Sequence, residues 1–434
     1  MRIAIATLGC KINQYDSAVI QARLEEGRHS FVPFDEEADF YIINACTVTD
    51  RADWEARQLV RRAKRRSPAA RVLVTGCYAQ TKPGEVAEVP GVDYVVGLNR
   101  VPDLLRFVGR TESLPASERV AVGEVKKERG VSVLGARAFP GHTRAFLKIQ
   151  EGCNYSCTYC IIPSARGWSR SVPPVEILRE VCALAERGFK EIVLTGIHLG
   201  GYGHDLAPKL DLTALLEEIL EKTPIRRLRL SSLDPREVPE RLLRLMAQSK
   251  TVCPHLHVCA QAGDDRILKQ MRRNYDTAYY RDILTRAREL LPDAALGSDI
   301  IVGFPGESEE SFERQMEFFD SLPLTYFHVF PYSIRSGTVA ASLPDQVSVT
   351  AKKERARKMR ELGARKKRDF YKRFLGRRAS VLVEADSTPA GGLRGYSRNY
   401  LPVSFYGESA RVNEEVDVAI ERFENGSLVG RSLN

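Results

Sequence analysis

Cys153-Asn-Tyr-Ser-Cys157-Thr-Tyr-Cys160 places three thiols at C-x3-C-x2-C spacing. Three thiolates gathered by one tight loop can hold an iron-sulfur cluster and leave one iron without a protein ligand, open to chemistry. A zinc site would normally add a fourth Cys or His at a second short spacing, and at such a spacing none follows Cys160 before His198. Three more cysteines, Cys10, Cys46 and Cys77, each follow within a few residues a short apolar run (2–6, 39–43 and 71–74) that reads as a strand. Loops leaving the carboxyl ends of parallel strands collect at one sheet edge, so these distant thiols are expected to converge on a second cluster site. The plain alternative is three small residues buried at strand ends. Cys182 lies in an apolar helical pattern and reads as core. Cys253 and Cys259 flank His255 and His257, but Pro254 argues against a regular strand there and so against a third metal site.

The elements that must position these residues divide the chain into five stretches. Residues 1–120 alternate strand and helix patterns, which predicts an open parallel α/β sheet. Residues 121–142 read as a linker. Residues 143–346 repeat strand then helix about six times, which predicts a partial (β/α)6 barrel with its chemistry at the carboxyl ends of the strands. Gly196, Ser231, Ser232 and Gln261 fall at such ends, as does Gly303-Phe-Pro-Gly306. Asp299 stands in the same stretch as either a substrate contact or a buried structural carboxylate. Residues 347–376 form a basic helical pattern. Residues 377–434 hold short strands and an Asn425-Gly426 hairpin signal, predicting a small antiparallel β-barrel.

The net charge of +9 is unevenly spread. Residues 351–378 carry 14 Lys and Arg against three acids, a local +11, which leaves −2 for the rest. A second basic cluster runs from Arg57 to Arg66. Charge runs are most often solvated helix faces. The basic helix lies next to Tyr396, Arg398, Asn399 and Tyr400, side chains able to stack on bases or meet phosphates, and together these point to RNA. Removal of residues from 379 onward is then expected to weaken RNA binding alone. No apolar run reaches membrane-spanning length and the N-terminus reads as a strand, so the expected compartment is the cytoplasm, with no membrane partner.

These parts together resemble the radical S-adenosylmethionine (radical SAM) methylthiotransferases, α/β enzymes that end in a small barrel called the TRAM domain. The resemblance spans essentially all 434 residues. It is most specific at Thr7-Leu-Gly-Cys10-Lys-Ile-Asn-Gln14, Asn44-Ala-Cys46-Thr-Val-Thr-Asp-Arg51, Thr75-Gly-Cys77-Tyr-Ala-Gln80, and Glu151-Gly-Cys153 through Pro163, followed by Ala165-Arg166-Gly167. It implies two 4Fe-4S clusters, one on Cys153, Cys157 and Cys160 and one on Cys10, Cys46 and Cys77. S-adenosyl-L-methionine would bind at the first, with Tyr159, Gly196, Ser231, Ser232 and Gln261 as candidate contacts. Gly9-Cys10-Lys-Ile-Asn-Gln-Tyr15 is similar to the branch that acts on N6-threonylcarbamoyladenosine at position 37, in the anticodon loop of tRNA. An external electron donor and a sulfur donor are implied as partners. Sister branches act on isopentenyladenosine or on a ribosomal protein. A non-catalytic RNA-binding iron-sulfur sensor is the rival from another class, although a sensor would usually offer four Cys per cluster.

Overall fold

The computed structural model describes residues 1–27, 29–110, 114–115, 118–131, 135–136, 139, 141–384, 392–407 and 412–433. Two compact units result, and neither is a single run of chain.

The first unit comprises Met1–Pro140, Gln150–Val172 and Ser333–Ala341. Its sheet has the order β2-β1-β3-β4-β5-β6, from β1 (Arg2–Thr7), β2 (Ser30–Phe31), β3 (Phe40–Ala45), β4 (Arg71–Gly76), β5 (Tyr94–Val96) and β6 (Val120–Ala121), all parallel. Every residue of β3 is buried, as expected of a parallel strand covered on both faces. Tyr41 and Ile43 pack into one apolar layer with Val72 and Val74, and Phe40 and Ile42 into the other with Leu73 and Phe107. The two-residue side-chain period thus divides one apolar run between two cores.

The second unit comprises Gly141–Ile149, Pro173–Tyr332 and Ser342–Asn434. The strand β7 (Arg144–Glu151) begins here, while its last two residues belong to the first unit and pair antiparallel with β8 (Arg170–Ser171). Within the second unit β7 lies beside β9 (Glu191–Gly196), and β9 pairs with β10 (Arg227–Leu230). A separate parallel ladder joins β11 (His255–His257), β12 (Ala295–Val302) and β13 (Tyr326–Pro331). Single bridges, Leu228 to Val252 and Leu233 to Val258, connect β10 with the β11 region. Pro254, which has no N–H to donate, lies in that seam. The expected barrel is present and partial.

The expected terminal barrel is also present, closed in the order β14-β15-β16-β18-β17 from β14 (Arg378–Val383), β15 (Leu393–Ser397), β16 (Pro402–Tyr406), β17 (Glu415–Glu424) and β18 (Ser427–Ser432). Asn425 and Gly426 have φ of +49° and +79°, the paired positive values of a tight hairpin turn.

This small barrel plugs the amino-terminal end of the larger one. Tyr400 lies 4.9 Å from the His255 ring at the start of β11, and the guanidinium carbons of Arg229 and Arg144 lie 4.8 and 5.4 Å from its own ring. Glu191 is fully buried and accepts from Arg227 (2.8 Å) and Arg229 (2.6 Å). The two arginines then reach Tyr396 O, Arg398 O and Glu415 of the small barrel. Arg398 is held by Glu415, and Asn399 donates to Asp293 O. The four residues read as an RNA platform are therefore committed to this internal docking.

Much of the basic helix, Val349–Lys372, is spent in the same way. Arg355 binds Glu307 and Glu309, Arg357 binds Glu354 and Glu361, Arg365 binds Asp320, and Lys352 is buried. Beyond the helix, Arg377 pairs with Asp293.

Candidate cluster sites

Both cysteine triads lie in the first unit. Cys10 immediately precedes the helix Lys11–Glu26, Cys46 follows β3, and Cys77 opens the helix Cys77–Thr81 after β4, so all three sit at the carboxyl edge of the sheet. Cys10, Cys77 and Cys153 each follow a glycine of positive φ (Gly9 +107°, Gly76 +92°, Gly152 +73°). A side chain at Gly9 would lie 2.7 Å from Cys46 Cβ, and one at Gly152 would lie 2.1 Å from Trp168 O. Only glycine permits these approaches.

The first triad is electrostatically coupled. Burial pushes the Cys77 thiol up to about 12, and the neighbouring Cys46 and Cys10 push in the same direction, while Arg166 opposes them. Burial and Cys10 also raise Cys46, against an N–H from Val48 at 3.4 Å. Sulfurs on one zinc ion would stand about 3.8 Å apart, from Zn–S bonds of about 2.3 Å in a tetrahedron. Among the described residues neither cysteine triad brings its three sulfurs within 4.8 Å of one another. A donor set of three gathered thiols, too widely spaced for a single ion and without a fourth Cys, fits a multi-iron cluster.

Arg166, in the short helix Ile162–Arg166, bridges the two triads through the chain. It is 2% exposed. Its Nε lies 3.2 Å from Cys77 Sγ, and its terminal nitrogens donate to Asn13 Oδ1 (2.7 Å), Asp16 Oδ2 (3.0 Å) and Glu151 Oε1 (2.8 Å). Glu151 stands two residues before Cys153, whose N–H donates to Gly167 O at 3.1 Å. The sequence marked Arg166 only as part of a motif and assigned it no role.

The segment Ser333–Ala341 is a second bridge that no sequence pattern announced. Arg335 donates to Asp53 at 2.7 Å, both side chains 3% exposed, and also binds Asp50. Asp53 in turn bonds Thr47, next to Cys46; burial raises its pKa against the pull of Thr47 and Arg335. At the other end, Ala340 N donates to Thr158 O inside the Cys153–Cys160 loop at 2.8 Å. Replacing Arg335 with Ala leaves buried Asp53 with Lys82 at 3.4 Å as its remaining cation. The expected loss is about 3 kcal/mol of stability, read by thermal unfolding, together with a lower iron content after anaerobic reconstitution. Unchanged iron and melting would remove the segment's positioning role.

The remaining candidates are placed as follows. Tyr159 is in the first unit. Gly196 ends β9, Ser231 and Ser232 follow β10, and Gln261, at φ +64°, bridges to Ile300 of β12, all in the second unit. The Ser231 hydroxyl is buried and finds no hydrogen-bond partner among the described residues. The strand after Pro254 is regular, contrary to the expectation of an irregular one, because the proline only precedes it. His255 and His257 therefore share a face and both reach Tyr326 OH, at 2.7 and 3.1 Å. Donor atoms of His257, Asp299 and His328 lie within 4.8 Å of one another. The Asp299 carboxylate bonds His257 (3.1 Å) and Cys259 (3.3 Å), so Cys259 joins a polar network while Cys253 is buried elsewhere. Cys182 is half-buried rather than core. No described helix is long and apolar enough to cross a membrane.

Comparison with known proteins bears on both units. Residues 147–319 match the radical SAM superfamily, and residues 2–97 match a family described as uncharacterized protein family UPF0004. The threonylcarbamoyladenosine tRNA methylthiotransferase MtaB of Bacillus subtilis is 38% identical, covering 96% of this chain and 93% of that protein. Its Aquifex aeolicus counterpart is 41% identical, covering 88% and 93%. A tRNA-2-methylthio-N(6)-dimethylallyladenosine synthase of Pelotomaculum thermopropionicum is 33% identical, covering 98% and 96%. Among solved structures, the radical S-adenosylmethionine methyltransferase TsrM of Kitasatospora setae has a TM-score of 0.54 at 17% identity, covering 78% of this chain and 77% of that one, a likeness of fold.

Proposed function

The chain belongs to the radical SAM methylthiotransferases, and we propose that it adds a methylthio group to C2 of N6-threonylcarbamoyladenosine at position 37 of tRNA. What supports this reading is the pairing of two triads, each of three cysteines, within one unit of a chain 38–41% identical to relatives named for that activity. The relative named for dimethylallyladenosine is less similar, at 33%.

Cys153, Cys157 and Cys160 would hold one 4Fe-4S cluster, and Cys10, Cys46 and Cys77 the other. The chemistry these groups supply when bound is one-electron cleavage of S-adenosyl-L-methionine and delivery of sulfur, steps that no side chain performs. The protein's part is to bind and orient. Tyr159, Gly196, Ser231, Ser232 and Gln261 are the proposed S-adenosyl-L-methionine contacts. The unpartnered Ser231 hydroxyl is suited to one of them, because a buried polar group without a partner is costly until a ligand supplies one. Arg166 and Arg335 fix the loops that carry the thiols. The electron and the sulfur come from outside donors. The adenosine at position 37 lies in an unpaired loop, where a base can be splayed into a site.

Nucleoside analysis of tRNA from cells lacking the protein tests the substrate. The 2-methylthio derivative of N6-threonylcarbamoyladenosine should disappear; loss of the dimethylallyl derivative instead would move the chain to the sister branch. Reconstituted protein should carry about eight irons, and Cys10→Ala about four. Equal iron in both would refute the two-cluster reading.

A further inference from the structure

The docking of the terminal barrel and the internal pairing of the helix Val349–Lys372 remove much of the basic surface that pointed to RNA. The first unit holds another surface, on the helix Asp50–Arg66. Trp54, Gln58, Arg61 and Arg65 recur at i, i+4, i+7 and i+11, which places them on one stripe. Trp54 is 54% exposed, and Arg61 and Arg65 are exposed. Their neighbours Arg57, Arg62 and Lys64 are tied to Glu85, Asp35 and Asp93. Among the described residues Arg61 and Arg65 pair with no carboxylate. Together with Gln58 they line a depression of about 620 Å³.

The apolar end of the stripe lies beside a cysteine loop. Val48, 49% exposed, stands two residues after Cys46 and donates its N–H to that thiol. Ile334, 46% exposed, is carried to the same helix turn by Ser333 and Arg335, both bonded to Asp50. Three large apolar side chains thus stand in water next to the site, and two unpaired guanidinium groups continue the line away from it.

We propose that this stripe is a docking surface for the single-stranded loop of the substrate RNA, with an unstacked base on Trp54 and phosphates on Arg61 and Arg65. The proposal rests on the tRNA reading above. Stacking on an exposed indole suits any base, and the guanidinium groups match the phosphate charge. The rise from Trp54 to Arg65 is about 16 Å at about 1.5 Å per residue, a span of a few nucleotides. A protein partner would find little apolar area beyond these three side chains.

The test measures binding of a tRNA carrying N6-threonylcarbamoyladenosine at position 37 to the full chain by fluorescence anisotropy over a salt series. Trp54→Ala should weaken binding about tenfold. The double variant Arg61→Glu with Arg65→Glu should weaken it further and reduce the salt slope by about two. The same charge change at Lys353 and Arg368, on the other basic helix, should have a much smaller effect. Reductive cleavage of S-adenosyl-L-methionine without RNA should persist in every variant, which reports folding. If wild-type protein binds and the stripe variants bind equally well, or if the Lys353 and Arg368 control weakens binding as much, the inference is overturned and the function stands. If wild-type protein binds no tRNA, both are overturned.

Discussion

Arg166→Ala is expected to strip iron from the Cys10, Cys46 and Cys77 site and to cost the fold about 3–5 kcal/mol. The guanidinium is buried and satisfies Asn13, Asp16 and Glu151 while donating to Cys77 Sγ at 3.2 Å. Truncation removes a buried cation from beside Glu151 and Asp16, and Glu151 leads directly into Gly152 and Cys153. The Cys153 loop should therefore loosen as well, with iron loss at both triads. Arg166→Lys separates charge from geometry, because an ammonium keeps the charge but cannot present a planar fork to three acceptors and a sulfur. In a background with Cys153, Cys157 and Cys160 replaced by Ala, a hydrogen bond to a ligating sulfur stabilises the reduced, more negative cluster. Loss of that bond in Arg166→Lys, which keeps the charge at the site, should shift the remaining cluster to a more negative potential, followed by redox titration with electron paramagnetic resonance. Full iron occupancy and an unchanged melting temperature in Arg166→Ala would exclude this role.

What could be read in advance follows the range of the interactions involved. The convergence of Cys10, Cys46 and Cys77 on one sheet edge was legible because each repeats the same strand-end position, and the loop from Cys153 to Cys160 because its spacing is local. The parallel sheet, the partial barrel and the Asn425-Gly426 hairpin were legible for the same reason: each is written in short-range periodicity. Arg335 was not, since Asp53 lies 282 residues away and nothing near either residue marks the pair. Tyr396, Arg398, Asn399 and Tyr400 were misread because aromatic and cationic side chains are what an RNA platform needs and equally what a plug over buried arginines needs. Composition cannot separate the two; Glu191, on a distant strand, does. The basic helix was over-read likewise, because Glu307, Glu309 and Asp320, which pair with its residues, lie outside the segment whose charge was counted. Pro254 suggested an irregular strand, but a proline just before a strand costs no ladder bond within it.

That plug changes what deletion of the terminal barrel should do. Removing residues from 379 onward takes away Glu415, the carbonyls of Tyr396, Ser397 and Arg398, and the ring of Tyr400, all of which cover Arg227 and Arg229. The truncated chain should lose reductive cleavage of S-adenosyl-L-methionine along with RNA binding, because the partial barrel opens at its amino-terminal end. A point substitution gives the cleaner test. Glu191→Gln removes the one carboxylate shared by two fully buried guanidinium groups, a change of about 3–5 kcal/mol. For a unit of this size that is a fall of about 10 °C in melting temperature, at about 2–4 °C per kcal/mol. The acid response fixes the sign. Burial by itself would raise the Glu191 pKa, but Arg229, Arg227 and Arg144 outweigh it and bring the group down to about 2. A carboxylate lowered on folding contributes its stability above its unfolded pKa of about 4.3 and loses it as pH falls toward 2. The gap between wild type and Glu191→Gln, read by denaturant unfolding, should hold from pH 7 to 5 and narrow between pH 4 and 3. A gap that is constant over that range would mean that Glu191 acts through packing and not through its charge.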